Sequence, residues 1–106
     1  MEKLKKDFMV KYFKTNSKFL GRLPAGKLIE AKFEALPNIP KIQTMTSSCG
    51  CSVPTFDGVF LNVKFTPDYV PLHLKHQGEY ETSKHVTIFY ETGEKDIITF
   101  SAKIYD

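Results

Sequence analysis

Alternation with a period of two is the feature that most restricts what this chain can fold into. In "KLIEAKFEAL", Ile29, Ala31, Phe33 and Ala35 fall on one side while Glu30, Lys32 and Glu34 fall on the other. In "VFLNVKFT", Val59, Leu61, Val63 and Phe65 alternate with Phe60, Asn62 and Lys64. In "DIITFSAKIY", Ile98, Phe100, Ala102 and Ile104 alternate with Thr99, Ser101 and Lys103. Successive side chains of a strand point to opposite faces, so each segment presents one apolar face to a core. "DFMVKYF" and "HVTIFY" are rich in β-branched and aromatic residues and read as further strands, and "IPKIQTMT" as a weaker one. No window repeats apolar residues at helical spacing over the length a stable helix needs.

Turn chemistry separates these runs. "LPAGK" precedes the second strand, "LPNIP" the third, and "ETGEKD" joins the last two, where Gly93 can supply the positive φ of a tight hairpin. A longer connection, "TPDYVPLHLKHQGEYETS", reads as a crossover between sheets. With 106 residues, 42% of them hydrophobic, the chain has the size and composition of one globular domain. Six or seven short strands without a helix therefore predict an all-β, immunoglobulin-like antiparallel sandwich, with Ile29, Phe33, Val63, Phe65, Ile88, Ile98 and Phe100 in a common core. Residues 1–6 read as a basic N-terminal tail to that single domain. No apolar run approaches the roughly 20 residues of a membrane-spanning helix. The opening "MEKLKKDFMV" lacks the apolar stretch and cleavage site of a secretory leader, so a virion or host-cytoplasm location is expected. A periplasmic or envelope location is the alternative, if a leader was removed.

The order of these signals resembles a known bacterial family. "FLGRLPAG" before an alternating strand, then "SSCGCSVP", "LNVKFTP" and "HQGEYETSKHVTIFYETG" with a closing strand, is similar to the domain-of-unknown-function family marked by a Ser-Cys-Gly-Cys-Thr signature. That family resembles the Hydin and major-sperm-protein immunoglobulin-like domains. The likeness covers about residues 19–105 and is most specific at Ser48-Cys49-Gly50-Cys51-Ser52. Two turns depart from the pattern: Pro37-Asn38-Ile39-Pro40 replaces an Asn-Thr-Gly turn, and Thr55-Phe56-Asp57-Gly58 replaces a Pro-Gly-Glu turn. Each exchanges one turn for another, so the fold expectation stands. The resemblance implies a binding or scaffolding module and no reaction.

The only cysteines, Cys49 and Cys51, flank Gly50. Their spacing is not the Cys-x-x-Cys of a helix start, which lowers a thiol pKa, and two cysteines do not make a disulfide framework. Small apolar packing residues at a bend, reduced and free of metal, are the expectation for Cys49, Gly50 and Cys51. Two alternatives stay open. A disulfide across one residue needs a compact bend, which Gly50 permits. A zinc site would add His73 and His76, but His-x-x-His in an extended segment points its rings to opposite faces.

No catalytic constellation is readable. There is no glycine-rich phosphate loop and no strand–turn–helix nucleophile elbow, and the carboxylates are scattered over polar faces and turns. A non-enzymatic module without cofactor, metal or small-molecule substrate is expected. Its first form is a structural part of a larger assembly, such as a phage virion accessory or capsid-decorating protein that binds other proteins. Its second form is a bacterial envelope or surface-associated binding module. The net charge of +3 is uneven, with seven lysines and one arginine through Lys27 against Glu2 and Asp7. Lys5, Lys6, Lys11, Lys14, Lys18 and Arg22, interleaved with Phe8 and Tyr12, are the expected protein-docking surface, with steering from the cations and anchoring from the aromatics. No dense aromatic–basic signature points to nucleic acid.

Overall fold

The computed structural model describes residues 12–106. Seven strands follow one another: β1 Ser17–Pro24, β2 Ile29–Glu34, β3 Ile42–Ser47, β4 Ser52–Phe56, β5 Phe60–Phe65, β6 Glu79–Tyr90 and β7 Lys95–Tyr105. They form a four-stranded sheet in the order β1-β7-β6-β3 and a three-stranded sheet in the order β2-β5-β4. The apolar faces expected from the alternation meet between the sheets. Phe33, Leu61, Val63 and Phe65 come from the smaller sheet, and Val86, Ile88, Ile98, Phe100, Ala102 and Ile104 from the larger. The Phe65 and Phe100 rings touch across the interface, edge to face, with centroids 5.2 Å apart. Each such side chain, fully removed from water, contributes about 1.5–3 kcal/mol. Ile29 packs against this core from its rim.

Several expectations are corrected in detail. The β1–β7 pair is parallel, so the sandwich is not antiparallel throughout. Neither β1 nor β4 announces itself by alternation, because both are edge strands interrupted by a backbone-special residue, Gly21 and Pro54 respectively. The crossover is shorter than expected: β6 already begins at Glu79, and a 3-10 helix, Leu72–Gln77, occupies the loop before it. Val59 is 53% exposed, out of phase with Leu61 and Val63. It lies in the β4–β5 turn, where its N–H donates to Asp57 Oδ1 at 2.9 Å, and so falls outside the pleat. The hairpin at Gly93 forms as expected, with φ of 92°. The strand expected at "DFMVKYF" lies mostly outside the described residues; its end, Phe13, is buried and bridges Ala35.

Cys49 and Cys51 are not free thiols. They are joined as a disulfide, with Cα atoms 5.2 Å apart. The reason is the bend: the chain leaves β3 in one sheet and enters β4 in the other within residues 48–51, and so sharp a reversal brings the two Cα atoms inside the span a disulfide requires.

Among the described residues two polar side chains are buried, Ser52 at the bend and Asp96 in the core. Asp96 is 2% exposed, on the same face of β7 as Ile98 and Phe100. The Tyr90 hydroxyl donates to its Oδ2 at 2.8 Å and the Tyr12 N–H at 3.2 Å, which supplies the partners a buried carboxylate requires.

Candidate functional site

Sheets of four and three strands leave four edges, and these differ in how they are blocked. Exposed edges are templates for a further strand unless charge, proline or a bulge interrupts them. β1 carries Lys18 and Arg22, and its pairing with β7 slips between Phe19 and Arg22, around Gly21 with φ of 89°. β2 carries Glu30, Lys32 and Glu34. β4 carries Pro54, which has no N–H to offer. β3, "IQTMTS", has neither charge nor proline, and its only irregularity lies at its start, between Ile42 and Thr44.

Behind that edge the sandwich is open. Between β3 and β4 lies a cleft of about 600 Å³, whose lining is apolar at Ile39, Pro40, Ile42, Met45 and Phe56 and polar at Lys41, Gln43 and Thr44. Ile39, Ile42, Met45 and Phe56 are half-buried and rest on the core, leaving apolar surface for an incoming side chain. The signal for this site is present in the sequence as an absence. Residues 42–56 contain no charged residue, although 25% of the chain is charged. Those residues are β3, β4 and the bend between them.

The bend is held by hydroxyls as well as by sulfur. The Ser47 hydroxyl donates to the Cys49 carbonyl at 2.9 Å and is hydrogen-bonded to the Ser52 hydroxyl. Ser52 is only 4% exposed, and its Oγ lies 3.9 Å from Cys49 Sγ. Ser48 ties the bend to β6: its N–H donates to the His85 carbonyl, and its hydroxyl accepts from the His85 N–H, both at 2.9 Å. The Cys51 carbonyl accepts from the Thr66 N–H at 3.0 Å, so the other side is tied to the end of β5. A loop closed across one residue yields far less than the roughly 3 kcal/mol of a loop of about 15 residues. The bond therefore shapes the bend more than it stabilises the fold.

The expected docking cations are distributed differently. Lys5, Lys6, Phe8 and Lys11 lie outside the described residues. Lys14 pairs with Glu34 at 2.9 Å, and Arg22 with Glu79 at 3.0 Å. Lys18 donates to the Lys32 carbonyl and stands 5.1 Å from the Phe33 ring centroid, and Arg22 lies 4.5 Å from that of Tyr105. Tyr12 donates its hydroxyl to Glu94 at 2.6 Å and packs edge-on against Tyr90. That bond to a carboxylate, with burial second, pushes the Tyr12 phenol above its ordinary range. Each described member of the set thus has an intramolecular contact. Exposed ion pairs of this kind contribute about 0–1 kcal/mol, so a partner's carboxylate can replace the internal one.

The histidines are exposed. His73 and His76 stand three apart on the 3-10 helix, where that spacing shares a face, rather than on an extended segment where it would not. His85 lies on the solvent side of β6. Among the described residues no three metal-ligating side chains come together.

No family model and no curated protein matches this chain. Its fold does match solved structures. It superposes on part of a GH5 xyloglucanase of Bacteroides ovatus with a TM-score of 0.59 at 10% identity, covering 92% of this chain and 19% of that one. It superposes on the SrpA adhesin of Streptococcus sanguinis with a TM-score of 0.54 at 13% identity, covering 91% of this chain and 58% of that one. The titin M10–obscurin-like 1 immunoglobulin complex gives 0.54 at 13% identity, covering 87% of this chain and 90% of that one. This chain thus spans a small part of the enzyme and just over half of the adhesin, but nearly the whole of the titin-complex chain. At such identities the likeness is one of architecture: the chain is an immunoglobulin-like β-sandwich.

Proposed function

We propose that this domain is a non-catalytic protein-binding module of a larger assembly, and that it takes up its partner along the β3 edge. The observation that carries this reading is the pairing of an uncharged, proline-free edge strand with a cleft of mixed lining, which offers Ile42, Met45 and Phe56 beside Lys41, Gln43 and Thr44. Such an edge offers backbone N–H and C=O groups to an extended segment, while alternate side chains of that segment reach Ile42, Met45 and Phe56. The partner it fits is an extended, β-branched or aromatic segment of another protein. Lys14, Lys18 and Arg22 lie in and before β1, an edge strand on the far side of the larger sheet from β3, and add steering towards an acidic partner. A virion accessory or capsid-decorating role is the narrower form of the proposal, and a genomic neighbourhood of capsid and portal genes is its test.

The edge itself is tested by placing charge on it. Thr44 and Thr46 are exposed on β3, and Thr44→Lys with Thr46→Lys should leave thermal unfolding close to wild type while abolishing incorporation into the native assembly. If this double variant incorporates normally, β3 is not the interface. Reversal of Lys14, Lys18 and Arg22 to glutamate then asks whether the basic surface is, and wild-type association through it should weaken with salt.

A further inference from the structure

We infer that Cys49 and Cys51 form a thiol–disulfide exchange site, which accepts two electrons from a dithiol reductant while the sandwich stays folded. The bond joins residues only two apart, so breaking it releases no distant element. β3 remains paired with β6 and β4 with β5 through their own ladders. Both cysteines are half-buried at a surface bend, within reach of a small thiol.

The surroundings of the two sulfurs are unequal, and this sets the direction of the exchange. Cys51 packs against the apolar core, which disfavours a thiolate there. Cys49 Sγ faces the hydroxyl of Ser52, itself backed by the hydroxyl of Ser47. These two hydroxyls hold two protons and have four acceptor atoms within reach: the Cys49 carbonyl, the two hydroxyl oxygens themselves, and Cys49 Sγ. With the disulfide closed, Ser47 donates to the carbonyl and Ser52 to Ser47. When Cys49 carries negative charge, Ser52 turns its proton to Sγ and Ser47 turns its own to Ser52. Cys49 is therefore the better leaving thiolate, and a thiol of lower pKa leaves faster.

The exchange balances as follows. A reductant thiolate attacks Cys51 Sγ, a new S–S bond forms there, and the Cys51–Cys49 bond breaks with its electron pair retained by Cys49. The Cys49 thiolate takes a proton from solvent. The second thiolate of the reductant then attacks the reductant's own sulfur in the mixed disulfide, closing a cyclic disulfide and releasing Cys51, which is protonated in turn. The reductant dithiol is oxidised to its disulfide, and the protein disulfide is reduced to two thiols.

The test exposes the full-length protein to dithiothreitol at graded ratios of its reduced and oxidised forms. Alkylation and intact mass then count thiols, and circular dichroism follows the fold in parallel. The expected result is two thiols gained with the β-signal unchanged, and their loss when the oxidised form is restored. A disulfide that yields only where the fold melts overturns the inference. Ser52→Ala should lower the reduction rate about tenfold, the effect of removing a hydrogen bond to a developing charge. A folded Ser52→Ala protein reduced at the wild-type rate removes the hydroxyl's role. A second readout needs no variant: in the reduced protein, alkylation rates against pH should place the Cys49 thiol below Cys51. The opposite order overturns the assignment of Cys49 as the leaving group.

Discussion

A carboxylate on the core face of a strand needs a donor for every lone pair it turns inward, and Asp96 has the Tyr90 hydroxyl as one of them. The sequence reading put the carboxylates on polar faces and turns and so missed it, although Asp96 continues the phase of Ile98, Phe100, Ala102 and Ile104. The partner was not legible, because nothing in a hydropathy pattern connects Asp96 to a tyrosine across the hairpin. Tyr90→Phe keeps the ring and removes the donor, and should cost about 1–3 kcal/mol in equilibrium urea unfolding. The Tyr90 phenol titrates well above its ordinary range, through burial first and the neighbouring Asp96 carboxylate second. A raised pKa in the fold means that the neutral phenol is the one stabilised. That stability is complete below the unfolded tyrosine value of about 10 and falls as pH rises beyond it. Unfolding midpoints should therefore drop above about pH 10 for the wild type and less steeply for Tyr90→Phe. Asp57 behaves in the opposite sense. Its carboxylate accepts from the N–H groups of Phe60 and Val59, and these bonds hold its pKa below the usual carboxylate range. Their contribution is present above about pH 4 and lost as pH falls below that. Asp57→Asn should flatten the acid limb of the stability profile.

At the scale of elements, β2, β5 and β7 were readable because each buries one face against the other sheet. β1 and β4 were not. β1 gains its place from parallel pairing with β7, and β4 is short and interrupted by Pro54. β6 begins six residues before His85, because its first half is fixed by the ladder with β7 rather than by any apolar alternation of its own. Two glycines test how far backbone geometry alone decides these edges. Gly21 and Gly26 both have positive φ, 89° and 78°. A Cβ at Gly21 meets open space, whereas one at Gly26 lies 2.8 Å from the Tyr69 hydroxyl. Tyr69 is 70% exposed and free to swing aside. Gly21→Ala and Gly26→Ala should therefore cost nearly the same, about 1–2 kcal/mol each, from the backbone conformation alone. A markedly larger loss at Gly26 would show that Tyr69 is held against the turn.

For the whole molecule, the architecture and most of the core were legible, and the candidate site was legible only in part. Attention to lysines and aromatics singled out the N-terminal side, where the described cations are already engaged with Glu34, Glu79 and the Phe33 and Tyr105 rings. An edge that binds by its backbone carries no chemical signature beyond the absence of charge. The disulfide was hidden for another reason: whether Cys-Gly-Cys closes depends on the path of the chain between sheets, which spacing alone does not specify. Replacing both cysteines by serine should leave the β-sheet signal intact and lower stability by about 1–2 kcal/mol. Complete unfolding of the double variant in the absence of denaturant would show that the bond holds the two sheets together.

The parallel pairing of β1 with β7 also decides how the domain answers to force. Ser17 at the start of β1 lies beside Thr99, and Pro24 at its end lies beside Tyr105. A pull through the chain before Ser17 and after Tyr105 therefore acts along both strands in opposite directions. The slanted hydrogen bonds of a parallel ladder then share the load in shear instead of opening one at a time. Tension applied at the two ends meets a clamp, while tension applied across the Gly93 hairpin would peel β6 from β7 pair by pair. The direction in which the domain is pulled, and not its hydrogen-bond count alone, therefore decides how it yields.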